Sequence, residues 1–167
     1  MSKTEEGLKE AFAGESQANR KYLAFAQKAD QEGFSQIAKL FRAAAAAETV
    51  HAHNHLRVLG GVKSTKENLK AAVEGEHYEF TKMYPEFLEA ARNEGNKDAE
   101  RTFNYANEVE KVHHNLYSVA LEAVENGKDL EKKEIYICPV CGYTHEGEPP
   151  EKCPVCGAAK KVFKVIT

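Results

Sequence analysis

Residues 46–55 read AAETVHAHNH and residues 107–117 read NEVEKVHHNLY. Each stretch holds a Glu-x-x-His, Glu48 with His51 and Glu110 with His113, and the copies stand 62 positions apart (110 − 48 = 62). Three residues along a helix is a rotation of about 300°, so both members of a pair project from one face and can grip one metal ion. Working outward, Gly14-Glu15 is matched by Gly75-Glu76, Glu32-Gly33 by Glu94-Gly95 and Tyr22 by Tyr84, at offsets of 61 or 62. The single glutamates Glu15 and Glu76 precede their pairs by 33 and 34 residues. One Glu from each of two helices and a Glu-x-x-His from each of two others is a known way to hold two iron or manganese ions in a bundle. A lone Glu-x-x-His arises by chance on a solvated helix; two pairs with two partnered glutamates at matched spacing argue for metal.

The apolar periodicity around these residues is helical. Leu8, Phe12, Ala18, Tyr22, Phe25, Ala26 and Ala29 recur at three and four residues over 4–31, and Gly33 ends that run. Ile37, Leu40, Phe41, the alanines 43–47, Val50 and Leu56 continue it over 35–59 to Gly60-Gly61. Close helix packing and plain helix propensity explain the alanines equally well. Ser64-x-x-Glu67 has the form of a capping box opening a third helix, which runs to about Asn93 and bends near Pro85. A fourth, carrying Phe103, Ala106, Val109, Val112, Leu116 and Val119, runs from about Lys97 to Asn126 and stops at Gly127. The expected fold is an all-α four-helix bundle over 1–127, assembled from two similar helix pairs.

Glu79 exceeds the minimal set. It lies one helical turn after Glu76, and its counterpart in the first half is Ala18. With Glu15, Glu48, Glu76, Glu79 and Glu110 ionised, five negative charges and a hydroxide balance two ferric ions, whereas two ferrous ions leave one negative charge in excess. Releasing one glutamate restores neutrality, and a neutral His51 is placed to take the vacated position.

The last thirty residues differ in character. All four cysteines fall here, as Cys138-Pro-Val-Cys141-Gly and Cys153-Pro-Val-Cys156-Gly, between short β-type runs at 135–137 and 162–166. Glycine after each second cysteine suits a tight turn that aims amides at sulfur. Four thiolates favour tetrahedral zinc or iron, and the spacing alone does not separate an electron carrier from a structural zinc ribbon. Cysteines confined to such knuckles are no disulfide framework. Residues 128–134 form the linker, and His53, His55, His77, His114 and His145 read as ordinary surface or neighbouring histidines.

Net charge is −3, too balanced to suggest a nucleic-acid surface, and no Lys/Arg-rich run argues otherwise. The N-terminus MSKTEEGLKE has no signal-peptide pattern, and no apolar run has the length of a membrane span, so the cytoplasm is the expected compartment.

AFAGES (11–16), AAETVHAHNH, EGEHYEFTKMYP (74–85), NEVEKVHHNLY, YICPVCGY (136–143) and KCPVCG (152–157) together resemble rubrerythrin from end to end. The resemblance implies a ferritin-like bundle with a rubredoxin-like domain over 135–167, a di-iron site, and one iron on Cys138, Cys141, Cys153 and Cys156. It implies bridging carboxylates at Glu48 and Glu110, terminal ligands at Glu15, Glu76, Glu79 and His113, and a redox-switched ligand at His51. It implies that Tyr22 and Tyr84 hydrogen-bond to the ligands. The implied activity is reduction of hydrogen peroxide to water, fed by an NAD(P)H-dependent rubredoxin reductase or by rubredoxin, in a homodimer or larger homo-oligomer; some members exchange helices between subunits. The alternative is a ferritin-like ferroxidase that handles iron, disfavoured by Glu79 and the tail. His113 lies fourteen residues before Gly127, about 21 Å of helix, so electrons are expected to cross between chains rather than travel within one.

Overall fold

Four glycines punctuate the helices, and each stop has the same chemistry. At the first, Gly33 takes φ 84°, its amide bonds the carbonyl of Asp30, and Phe34 N–H bonds that of Ala29. This six-to-one and five-to-two pairing satisfies carbonyls the helix leaves open, and the left-handed φ favours glycine. Gly60, Gly95 and Gly127 repeat it.

The computed structural model describes residues 2–167 and divides into two compact units, 1–63 and 64–167. The first unit is a hairpin of α1 (Lys3–Gln31) and α2 (Ser35–Val58). Its seam is made of small residues seven apart, Asn19 and Ala26 on α1 and Ala38, Ala45 and Ala52 on α2, all buried. Asn19 clamps the seam, its Nδ2 donating to the Ala45 carbonyl at 2.7 Å and to Thr49 Oγ1 at 2.8 Å. Part of the alanine run therefore serves close packing as well as propensity.

The second unit begins with α3 (Thr65–Tyr78), opened by the expected capping box: Ser64 Oγ accepts from Glu67 N–H, and the Glu67 side chain accepts from Ser64 N–H. A π-helical turn, Glu79–Met83, joins it to α4 (Tyr84–Asn93). The expected bend near Pro85 is realised as this turn. Proline has no N–H, and its ring collides with the carbonyl four residues back, here that of Thr81. Tyr84 N–H instead reaches five residues back to Glu79. The repeat offset steps from 61 at Glu15/Glu76 to 62 at Tyr22/Tyr84 across this segment, so the π turn houses the one extra residue of the second half.

α5 (Lys97–Glu125) packs against α3 and α4, burying Leu88, Ala91, Val109 and Asn107. The chain ends in a three-stranded antiparallel sheet of order β2-β1-β3, with β1 Ile135–Ile137, β2 Thr144–Glu146 and β3 Lys164–Val165. The register sets Ile137 opposite Thr144 and Tyr136 opposite Val165. β2 was not foreseen, and the run expected over 162–166 is split by a 3-10 turn, Lys160–Val162. No helix among the described residues is long and apolar enough to cross a membrane.

Candidate metal centres

In the first unit, ligand atoms of Glu15, Glu48 and His51 all lie within 4.8 Å of one another. His51 Nδ1 is 2.8 Å from Glu48 Oε2. In the second unit Glu76 on α3 meets Glu110 and His113 on α5 within the same limit. His113 Nδ1 lies 2.7 Å from Glu110 Oε2 and 3.8 Å from Glu76 Oε1. None of these four carboxylates pairs with a lysine or arginine among the described residues, whereas Glu5, Glu100, Glu108 and Glu125 all do. Carboxylate oxygens and imidazole nitrogens that converge without a protein cation suit a metal ion with nitrogen and oxygen ligands.

The electrostatics of the second group show the cost of that convergence. Glu76 is pushed up to about 7, chiefly by burial, then by the charge of Glu110 and a hydrogen bond to it, with His113 opposing. Burial also raises Glu110, and the charge of Glu79 adds to it. A proton shared between Glu76 and Glu110 stands where a cation would relieve both. Glu79 itself falls outside the 4.8 Å set. It is the first residue of the π turn and acts on Glu76, Glu110 and Tyr84 through its charge.

Neither expected tyrosine hydroxyl bonds a ligand carboxylate in its own unit. Tyr22 packs on Phe25 and Phe41. Tyr84 stacks beside Phe87 and Phe103, and burial, then the charges of Glu110, Glu79 and Glu76, raise its pKa.

The four cysteines are free thiols that converge, with Cys138 Sγ 3.6 Å from Cys156 Sγ and Cys141 Sγ 3.5 Å from Cys153 Sγ. Bonds of about 2.3 Å to a central ion put tetrahedral sulfurs about 3.8 Å apart, so the cage is close to the size a metal requires. Gly142 and Gly157 take φ 87° and 75°, as the knuckle turns demand. Burial works against ionisation of Cys153, yet amides of Cys156 and Val155 donate to its sulfur and hold it below the usual thiol range. Burial raises Cys141 and Cys156.

The tail does not extend away from α5. The linker doubles back, so that Leu130 and Ile135 line a cavity of about 300 Å3 with Leu116 and Tyr117. A Cβ on Gly142 would stand 3.9 Å from Val109 Cγ1. Thr144 Oγ1 lies 2.9 Å from His113 Nε2. The 21 Å of helix after His113 thus overstates how far the tail lies from that histidine. Thr144 is a residue that sequence reasoning missed. The alternating stretch Tyr143-Thr144-His145-Glu146, directly after a knuckle glycine, was the available sign of a strand there.

These features define a helical carboxylate–histidine metalloprotein joined to a four-thiolate metal domain. Residues 6–121 match the rubrerythrin family model and 136–164 the rubrerythrin rubredoxin-like domain model. The chain belongs to the rubrerythrin family. It is 39% identical to rubrerythrin-2 of Clostridium acetobutylicum, covering 98% of this chain and 96% of that protein. It is 38% identical to a rubrerythrin of Porphyromonas gingivalis, covering 98% and 90%. Among solved structures, the fully reduced, all-ferrous state of nigerythrin matches with a TM-score of 0.59 at 36% identity, covering 99% of this chain and 88% of that one. The fold class is therefore ferritin-like helices with a small rubredoxin-like β domain, and the cofactors are a di-iron site held by carboxylates and histidines and an iron on the four cysteines.

Proposed function

We propose that this chain is a non-haem di-iron peroxidase that reduces hydrogen peroxide to water in the cytoplasm, as a defence against oxidative stress. The observation that carries the reading is the hydrogen bond between Thr144 of the four-cysteine domain and the ligand His113, which joins an electron-carrying module to a carboxylate–histidine group. The ligand set is Glu15, Glu48, His51, Glu76, Glu79, Glu110 and His113, with Cys138, Cys141, Cys153 and Cys156 in the tail. When bound, the iron pair supplies the two electrons that H2O2 + 2 H+ + 2 e− → 2 H2O consumes. The residues supply the rest. Glu48 and Glu110 would hold the pair together, and Glu79, on its π turn, would be the carboxylate free to change partner as charge changes. Tyr84, its hydroxyl kept protonated by burial and by three neighbouring carboxylates, donates a hydrogen bond or proton near the reacting atoms.

Cys138, Cys141, Cys153 and Cys156 would hold an iron able to take electrons from rubredoxin or an NAD(P)H-dependent reductase, and the Thr144–His113 contact would join that domain to the helical ligands within one chain. The protein acts as a homodimer or larger homo-oligomer. The test is optical and anaerobic. The visible absorption of the cysteine iron should be bleached by reductase and NAD(P)H and restored by peroxide, with two electrons consumed per peroxide and no net oxidation of added Fe(II). Oxidation and retention of added Fe(II) without reductant demand would instead establish the ferroxidase.

A further inference from the structure

A neutral imidazole carries its proton on one nitrogen, and the partner of that nitrogen decides which. His113 Nδ1 faces carboxylates, with Glu110 Oε2 at 2.7 Å and Glu76 Oε1 at 3.8 Å, while Nε2 faces Thr144 Oγ1 at 2.9 Å. The threonine hydroxyl has a single proton, and it is directed to the carbonyl of Gly142 at 3.3 Å. With a metal ion among the carboxylates, the Nδ1 lone pair goes to the ion and the histidine proton to Nε2, where the threonine oxygen accepts it while its own proton goes to Gly142. Thr144 is itself held by the thiolate knuckle. Gly142 N–H donates to the Cys138 carbonyl at 2.8 Å, Cys138 N–H to that of Tyr143 at 2.8 Å, and β2 pairs Thr144 with Ile137. The apolar side chains of Leu69, Leu116 and Leu130 line the cavity beside this contact, where a hydrogen bond is worth more than in water.

His51 is the repeat counterpart of His113 and has the same carboxylate contact, Glu48 Oε2 at 2.8 Å. No group of its own hairpin bonds its Nε2 among the described residues. The two Glu-x-x-His pairs are thus equal in sequence and unequal in restraint.

We propose that Thr144 is a positioning residue: its hydroxyl locks His113 in the Nε2–H tautomer and so holds its Nδ1 lone pair for a metal ion. This rests on the ligand set proposed above. A metal-ligating histidine whose outer hydrogen bond is removed loses about 10–100-fold in metal affinity.

The experiment uses the full chain loaded with zinc, which is diamagnetic, and 15N-labelled histidine. In the wild type, His113 should show a metal-bonded Nδ1 and an exchange-protected Nε2–H. Thr144→Val keeps the shape and suits a strand, so the four-cysteine domain should fold unchanged. It should lose the protected Nε2–H and bind zinc at the helical site about 10–100-fold more weakly. Thr144→Ser should behave as wild type. The inference is overturned if T144V retains both signal and affinity, or if T144S falls as far as T144V, which would make the threonine methyl the working group. A wild-type His113 with no metal bond at all would instead remove the ligand assignment, and the two failures are read from different samples.

Discussion

The two hairpins present the same three ligand types at nearly the same spacing, Glu15–Glu48–His51 and Glu76–Glu110–His113, yet their surroundings diverge. The first is closed on an alanine seam. The second carries an inserted residue in a π turn, an extra glutamate at its start, a tyrosine under the influence of three carboxylates, and a strand from the tail against its histidine. Duplication accounts for two grips of one design. The additions to one copy make the grips unequal, and an unequal pair is what a centre needs if one ligand is to move while the other stays.

The largest test of this inequality is all-or-none. Because the tail touches the α5 of its own chain, a chain with Cys138→Ser keeps His113 but has no electron carrier, and a chain with Glu110→Ala keeps the carrier beside a broken ligand group. Hybrids of the two should show no NAD(P)H-driven peroxide turnover above the separate mutants. Restored turnover in the hybrid would establish a route between chains and detach the function from the Thr144 contact.

Next comes removal of the extra carboxylate. Glu79→Ala gives the second hairpin the residue that the first has at Ala18. Loss of an outer partner costs up to about 100-fold, so on the role proposed for Glu79 its loss should cost at least about 100-fold in peroxide turnover. Fe(II) oxidation by dioxygen should survive, since the minimal ligand set remains. Equal losses of both activities would make Glu79 a plain structural ligand.

How far the sequence carried this comparison depended on periodicity. The six carboxylates and histidines that cluster in threes, and the four helical runs, were legible because helical spacing repeats and because Gly33, Gly60, Gly95 and Gly127 mark the ends. The step in offset from 61 to 62 was also visible, but its meaning as a π turn needed the backbone, since an inserted residue and a proline bend leave the same trace in one dimension. Thr144 was illegible for another reason. A hydrogen bond between positions 31 apart, made after the linker reverses direction, has no local pattern. The alanines 43–47 fall between these cases, because only Ala45 is fully buried in the seam while propensity suffices for the exposed Ala43, Ala46 and Ala47.

A smaller effect separates the two buried asparagines. Asn19 in the first unit satisfies both Ala45 and Thr49, whereas Asn107 in the second has an Oδ1 without a partner among the described residues. Asn19→Ala removes made bonds from a closed seam and should cost about 1–3 kcal/mol, or several degrees in Tm. Asn107→Ala removes a buried acceptor already unpaired and should cost less. The reverse order in thermal melts would mean that Asn107 is satisfied by ordered water.

The smallest difference is one of pH, and its sign distinguishes the metal-free second group. Glu76 is raised to about 7, from the ordinary value of 4.5 that it regains on unfolding. Between these values the folded chain holds a proton that the unfolded chain has released, so unfolding free energy falls as pH rises through that window and levels off above about 7. Below about 4.5 both states are protonated and the contribution vanishes. Metal-free wild type should therefore lose Tm from pH 5 to 7 relative to Glu76→Gln, by a few °C at most because the group is only partly buried. Zinc should reverse the slope, since the ion replaces the proton that Glu76 and Glu110 share and binds better as that proton leaves. If wild type and E76Q melted in parallel across the window with and without zinc, the two carboxylates would not share a proton and the second hairpin would owe its difference to Thr144 and the π turn alone.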